Sequence, residues 1–318
     1  MKNQILEEIL QERTGAEYDV AVMYSGGKDS AYLLYLLKEV YNLRVLAVTV
    51  DNGYENEYMW EPMRQFAKSM DVPLEIVRPE KELFRQLFHM LIVEQEYFRR
   101  EGINHICFIC NNILWCCASQ YAVEKNIPFV ASGLSLAQLS SGRKSPLLPD
   151  KMANAIAEKS SKIIFRNALS GMEKSKCFCN SEKLEKFVRQ LGDVIKKTKT
   201  VYPYIYHSIS VDDMKTALTE LNWQPPKAIG VEQYISSGCK IMSGVVYELE
   251  KMGLITLNER EQAKAMVQNG LADKKELEYA NYDASQDIVN LSGELMEELE
   301  IKEYLSLICK LKNKEVIL

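Results

Sequence analysis

Val20-Ala-Val-Met-Tyr-Ser25-Gly26-Gly27-Lys28-Asp29-Ser30, running straight on into Ala31-Tyr-Leu-Leu-Tyr-Leu-Leu-Lys38, decides the fold. A Val-rich apolar run reaches a Ser-Gly-Gly turn, after which Leu33, Leu34, Leu36 and Leu37 recur at helical spacing. Strand, tight loop and helix therefore follow one another. Such a junction is an anion site: glycines let the backbone close around a phosphate, and a helix start offers unpaired N–H groups at the positive end of its dipole. Ser25 and Ser30 add hydroxyls, Lys28 a point charge, and Asp29 a magnesium contact or an N-terminal helix charge. The stretch is not a Walker loop, which needs four residues between its glycines and a Gly-Lys-Ser/Thr ending.

Outward from this junction, Arg44-Val-Leu-Ala-Val-Thr-Val50-Asp51-Asn52-Gly53 reads as a parallel strand buried on both faces. Asp51, at its carboxyl end, is either a nucleotide contact over the crevice or a turn residue before Asn-Gly. Helices near 55–70 and 81–101 flank a strand at Leu74–Val77. A further helix runs through Val123 to a strand over Ile127–Gly133. Four strands alternating with helices predict a mostly parallel sheet with right-handed crossovers, ending near residue 140. An N-terminal helix over 1–14 packs on the sheet edge. Beyond Ser140–Pro146 the pattern turns helical, at 149–170, 181–197, 210–222, 239–252, 259–269, 273–281, 284–298 and 301–311, with a break at Pro225-Pro226. The expected division is an α/β nucleotide domain over 1–140 and an α-helical substrate or accessory domain over 141–318.

The 318 residues carry 47% hydrophobic and 26% charged side chains, the balance of an ordinary globular protein. The chain has no run of about 18 apolar residues and no signal-peptide core at Met1–Glu8, which places it in the cytoplasm without a membrane partner. A net charge of −5 argues against broad nucleic-acid binding and favours small or carrier-bound substrates. The eight cysteines then read as thiols, metal ligands or sulfur carriers rather than a disulfide framework.

Cys107-x-x-Cys110 can turn two thiolates toward one metal, but leaves a tetrahedral ion half ligated. Cys239, in Ser236-Ser-Gly-Cys-Lys-Ile241, is the favoured third ligand, on a loop before a helix whose N-terminus would lower a thiol pKa. Cys177-Phe-Cys179 is its rival, as a second metal pair or a sulfur relay. Cys116, Cys117 and Cys309 read as packing. Spacing alone does not separate zinc from iron–sulfur. His89, His105 and His207 form no ligand cluster. Arg143 and Lys144 follow a glycine and are either triphosphate or substrate contacts or a solvated loop.

Ser25–Ser30 resembles the SGGxDS signature of the PP-loop (N-type) ATP pyrophosphatases, the superfamily of GMP synthetase, tRNA thiolases and lysidine synthetase. The resemblance covers residues 18–140 and, more loosely, 210–260. It implies a Rossmann-like, HUP-type parallel sheet and attack of a carbonyl oxygen on the α-phosphorus of ATP to give an adenylate. ATP would be held by Ser25, Gly26, Gly27, Lys28, Asp29 and Ser30, with Asp51 and Gly133 at the nucleotide and Mg²⁺ between the phosphates. The order SGGKDS, Cys-x-x-Cys, later lone Cys resembles the tRNA 2-thiocytidine and 2-thiouridine synthetases. There it implies a [4Fe-4S] cluster on Cys107, Cys110 and Cys239 whose open iron holds sulfide, or else a cysteine persulfide. The catalytic set would be those three thiols with Lys28 and Asp29. A cysteine desulfurase or free sulfide would supply sulfur, and the chain would act as a homodimer.

The chain departs from the family where tRNA-modifying members carry Gly-His-x-x-Asp-Asp after the fourth strand. Here Ser132-Gly-Leu-Ser-Leu-Ala-Gln138 keeps only the glycine, which counts against tRNA specifically and removes a metal candidate. Two other readings stand beside thiolation: an amidotransferase-type ligase with a zinc on its cysteines, and a nucleotide-binding regulator without turnover.

Overall fold

A computed structural model describes residues 9–12, 15–100, 106–134, 150–194, 196–205, 211–224, 238–246, 249–250, 252–255, 264, 267–268 and 293–315. Its centre is an all-parallel Rossmann-like sheet of strands β1 (Val20–Met23), β2 (Val45–Val50), β3 (Leu74–Val77), β4 (Phe129–Ala131) and β5 (Lys199–Val201), in the order β3-β2-β1-β4-β5. Every residue of β2 is buried, as its unbroken Val-Leu-Ala-Val-Thr-Val composition demands of a strand covered on both faces. Asp19, itself buried, accepts the Arg44 backbone N–H at 2.8 Å and its guanidinium at 2.6 Å. This pair fixes the start of β1 beside that of β2.

The chain builds outward from β1 through β2 to β3, then returns to place β4 on the other side of β1. The order reverses between β1 and β4, and in open α/β sheets the crevice at the carboxyl ends of two such strands is where ligands bind. Helix α1 (Lys28–Tyr35), extended by a π turn at Leu36–Val40, leaves β1 directly over that crevice. Helix α2 (Trp60–Ser69) follows β2, and α3 (Lys81–Val93) follows β3.

Helix α5 (Ile106–Glu124) precedes β4. By length and composition it could cross a membrane, yet 56% of that window is buried inside the protein. Ile109, Ile113, Cys116 and Ala122 lie in the same core cluster as Leu46 and Val130 of the sheet, so α5 is a core helix, apolar on every side.

Three expectations change in detail. The helix expected over 81–101 is two, Lys81–Val93 and α4 (Gln95–Arg100), broken at Glu94, whose carboxylate accepts the Cys177 backbone N–H at 2.9 Å. The sheet has a fifth strand, drawn from beyond residue 140. Its edge is satisfied by buried Asn154 of α6 (Asp150–Met172), which donates to the Thr200 carbonyl at 3.0 Å and accepts from Tyr202 N at 2.8 Å. The sheet thus draws on both sides of the proposed 1–140 and 141–318 division. Over the C-terminal half, α7 (Lys176–Cys179) is a single turn where no helix was expected, while α8 (Glu182–Val194), α9 (Val211–Glu220) and α10 (Lys302–Glu315) follow the helical pattern. The helices expected at 259–269, 273–281 and most of 284–298 lie largely outside the described residues, as do Arg143, Lys144, His105, His207 and the side chain of Cys309.

Candidate functional site

The loop after β1 is shaped before any ligand arrives. Gly26 sits at φ +77°, a region that side-chain-bearing residues rarely adopt, and a Cβ there would lie 2.4 Å from Met63 Cγ. Gly27 is the helix N-cap, with no side chain closing the end. The first-turn amides of α1 are therefore open to an anion. The Ser30 hydroxyl donates to the Gly27 carbonyl at 3.0 Å and accepts the Ser25 N–H at 3.2 Å, and the two serine hydroxyls meet at 3.1 Å. Ser30 is engaged in closing the loop, and Ser25 stands beside it. Lys28 Nζ rests on both carboxylate oxygens of Asp29, at 2.9 and 2.8 Å. In this pair the two charges at the start of α1 neutralise one another.

Gly133, just past β4, lies against this loop, for a Cβ on it would stand 3.3 Å from the Asp29 carbonyl oxygen. It lines the β1–β4 crevice. Asp51 accepts the Gly53 N–H at 2.9 Å through one oxygen and faces Arg78 Nε at 3.4 Å through the other. The turn role is thus present in the geometry, at the carboxyl end of β2 where the nucleotide role was expected.

The thiols lie on the neighbouring ground. Residues 54–56 and 238–240 form a short antiparallel bridge, with Asn56 N donating to Gly238 O at 2.8 Å and Lys240 N to Tyr54 O at 2.7 Å. The bridge carries Cys239 to the loop after β2. Buried Asn52, in the same loop, donates from Nδ2 toward Cys110 Sγ at 3.9 Å and also meets the Cys239 sulfur. Cys239 is near enough to Cys110 to raise its thiol further. Cys107, one helical turn before Cys110 in α5, turns its Sγ to Met242 Sδ at 3.4 Å. Met242 opens a π turn (Met242–Val246), and its backbone N–H points at Cys239. Two of the three predicted ligands thus share Asn52 as a partner, and the third touches Met242, whose backbone N–H meets Cys239. Among the described residues no three His, Cys, Asp or Glu side chains stand together closely enough to hold a metal ion as they are.

A low thiol pKa at Cys239 was expected from the helix after it. The backbone N–H groups of Met242 and Ile241 do pull it down, but burial, with the Glu55 carboxylate adding to it, outweighs them and pushes the thiol up to about 12. Burial likewise pushes Cys110 well above the ordinary thiol range, with Cys239 and Glu55 adding to it. Thiols held so firmly protonated are poor free nucleophiles, whereas a bound cation reverses the balance by deprotonating its ligands.

Glu55 is the group sequence reasoning missed. Burial raises its carboxyl to about 7, with Asp51 adding and Lys240 opposing. The folded value lies above the ordinary 4.5, so the native state keeps a proton that the unfolded chain gives up. The stability this confers is full at low pH and falls as pH climbs toward 7. The metal-free Glu55→Gln variant is expected to melt close to the wild type at pH 5 and above it at pH 8. Equal melting temperatures at both pH values would count against a buried, ionising Glu55.

Helix α2 joins the two halves of the site. Met59, in the 3₁₀ turn Glu57–Met59 that leads into α2, and Met63 in the first turn of α2 stand four residues apart, Met63 packed on Gly26 of the Ser25–Ser30 loop and Met59 on Gly238, where a Cβ would come 1.9 Å from its sulfur. No local pattern announces either contact. The rival cysteines lie apart from this arrangement: Cys177, pushed up to about 11 by burial and Glu94, lines a cavity with Arg85, Gln86, His89 and Ser181, and exposed Cys179 donates to the Glu173 carbonyl at 3.4 Å. Cys116 and Cys117 are buried in the core, as expected.

Comparison with known proteins yields matches to parts of this chain. A family model described as "Family of unknown function (DUF7411)" matches residues 18–174. A protein of Methanocaldococcus jannaschii named "Probable sulfurtransferase" is 25% identical over 123 residues, 37% of this chain and 36% of that protein. Another from the same organism, "Uncharacterized protein MJ1599", is 39% identical over 87 residues, 26% of this chain and 31% of that protein. The chain spans about a third of the length of these curated relatives. Among solved structures, the U34-tRNA thiolase NcsA from Methanococcus maripaludis, with its [4Fe-4S] cluster, aligns over 88% of this chain and 81% of its own, at TM-score 0.40 and 17% identity.

Proposed function

We propose that this chain, a PP-loop-type protein by its loop and its sheet, is an ATP-dependent sulfurtransferase that adenylates a carbonyl or amide oxygen and replaces it with sulfur. The observation that carries this is the seating of Met59 and Met63 on Gly238 and Gly26, which sets the thiol-bearing loop beside the phosphate loop on one helix face. A relative named a probable sulfurtransferase supports the same class of reaction.

The open amides at the start of α1 and Lys28 would take the phosphates of ATP, with Mg²⁺ on Asp29. The acceptor's oxygen attacks the α-phosphorus, pyrophosphate departs, and sulfide then displaces AMP from the activated carbon. Donors fixed before reaction stabilise charge on the departing pyrophosphate without reorganising. Cys107, Cys110 and Cys239 would hold a [4Fe-4S] cluster, which when bound would supply an iron site to carry the sulfide. Their donor chemistry fits, since Cys110 and Cys239 share Asn52 as a partner and are thiols raised by burial, which gain most from a cation. Buried Asn52 would orient both sulfurs.

The acceptor is either a small or carrier-bound amide or a tRNA base, with sulfide or a cysteine desulfurase as donor. The protein is proposed to work in the cytoplasm as a homodimer.

The test is anaerobic incubation of iron-reconstituted protein with MgATP, labelled sulfide and pools of acceptors, free nucleobases and bulk tRNA among them. Pyrophosphate and labelled acceptor are expected in equal amounts. Pyrophosphate and an aminated acceptor in a parallel incubation with ammonium in place of sulfide, with no labelled product from sulfide, would make the protein a ligase of the amidotransferase type. ATP binding with no pyrophosphate under any condition would leave a nucleotide-binding regulator.

A further inference from the structure

The phosphate loop is gripped from behind by two side chains far from it in sequence. Trp223 donates its indole N–H to the Gly26 carbonyl at 3.2 Å, across 197 residues of chain. Tyr204 donates its hydroxyl to the Asp29 carbonyl, across 175 residues. Both rings are buried, and both carbonyls belong to the Ser25–Ser30 loop.

Each donor is itself mounted on fixed backbone. Helix α9 ends in a Schellman motif: Asn222 takes φ +57°, its N–H bonds the Thr219 carbonyl at 3.0 Å, and the Trp223 N–H bonds the Leu218 carbonyl at 2.9 Å. The αL residue turns the chain so that Trp223 leaves the helix toward α1. Tyr204 lies in the 3₁₀ turn Pro203–Ile205 directly after β5, and its ring packs 6.3 Å from that of Tyr32 in α1.

A peptide unit is planar and trans here, so its C=O and N–H point in opposite directions. Fixing the Gly26 carbonyl on Trp223 therefore aims the Gly27 N–H away from the indole. Fixing the Asp29 carbonyl on Tyr204 does the same for the Ser30 N–H. Gly133 closes on that second peptide, since a Cβ on it would be 3.5 Å from Ser30 N. The hydrogen bonds also polarise the two peptides and strengthen the N–H groups as donors.

We propose that Trp223 and Tyr204 are positioning residues that hold the Gly27 and Ser30 amides in their phosphate-binding directions. The inference rests on the reading of this loop as a nucleotide site. It gives the C-terminal half a part in shaping the amides that would grip the phosphates.

The experiment titrates MgATP and magnesium pyrophosphate into wild type, Trp223→Phe and Tyr204→Phe by calorimetry, with the Gly27 amide followed by NMR in glycine-labelled protein. Each substitution removes one hydrogen bond and keeps most of the ring, so dissociation constants for both probes are expected to rise about fivefold. Solvent exchange at the Gly27 amide should quicken in Trp223→Phe. A merely structural role would lower the folded fraction and leave the dissociation constant of the folded protein unchanged, and that outcome overturns the proposal. If Trp223→Phe does not fold, Tyr204→Phe carries the same test alone. Wild type that binds neither probe would take down the nucleotide reading and this inference with it.

Discussion

Gly26→Ala is expected to cost about 2–5 kcal/mol, appearing as lost stability or as MgATP affinity weakened between about thirtyfold and about five-thousandfold. Two independent costs combine. The left-handed backbone at φ +77° penalises a side-chain-bearing residue by about 1–2 kcal/mol. The new Cβ, 2.4 Å from Met63 Cγ, adds an overpacking cost of about 1–3 kcal/mol, because the clash falls on the inner part of that side chain rather than its mobile end. If the loop keeps its shape, the cost shows in denaturation. If it relaxes to another shape, the amides of α1 lose their aim and the cost shows in binding. Adding Met63→Ala should return the clash component and leave the backbone component in place. A Gly26→Ala protein as stable and as tight for MgATP as the wild type would contradict the loop geometry.

The second large effect concerns iron. After anaerobic reconstitution, Cys110→Ser and Cys239→Ser are each expected to retain at least about tenfold less iron than the wild type, since even an outer partner of a metal site commands about that much. Visible charge-transfer absorption should disappear with the iron. Cys107→Ser should behave alike, although in the metal-free protein its sulfur rests on Met242. Cys179→Ser, exposed on a one-turn helix, should match the wild type. Elemental analysis checks this directly. Equal iron in all four variants would remove the cluster from the proposal, and zinc in place of iron would shift weight to the ligase reading.

What could be read from the sequence was what is local. Ser25–Ser30 announces its junction because strand, turn and helix are contiguous, and β2 announces its double burial through six apolar or β-branched residues in a row. β5 is three residues beginning with an exposed lysine, too short to show any period, and it exists because β4 offers an edge and Asn154 closes it. The candidate site was legible in its parts and not in its joints. The convergence of Cys110 with Cys239 follows from a bridge between residue 55 and residue 239, and the grip of Trp223 on Gly26 from a helix cap 197 residues away. The pKa of Cys239 was misjudged for the same reason. Proximity to a helix start is visible in sequence, whereas the burial that overrides it is created only by the fold.

The pair Met59 and Met63 has a consequence for evolution of the acceptor. Met59 and Met63 are about 6 Å apart along the helical axis, and the two loops that rest on them are tied to one spacing. Changes elsewhere can alter which molecule enters. The spacing of the two loops would shift only if the turn that carries both methionines were itself rebuilt.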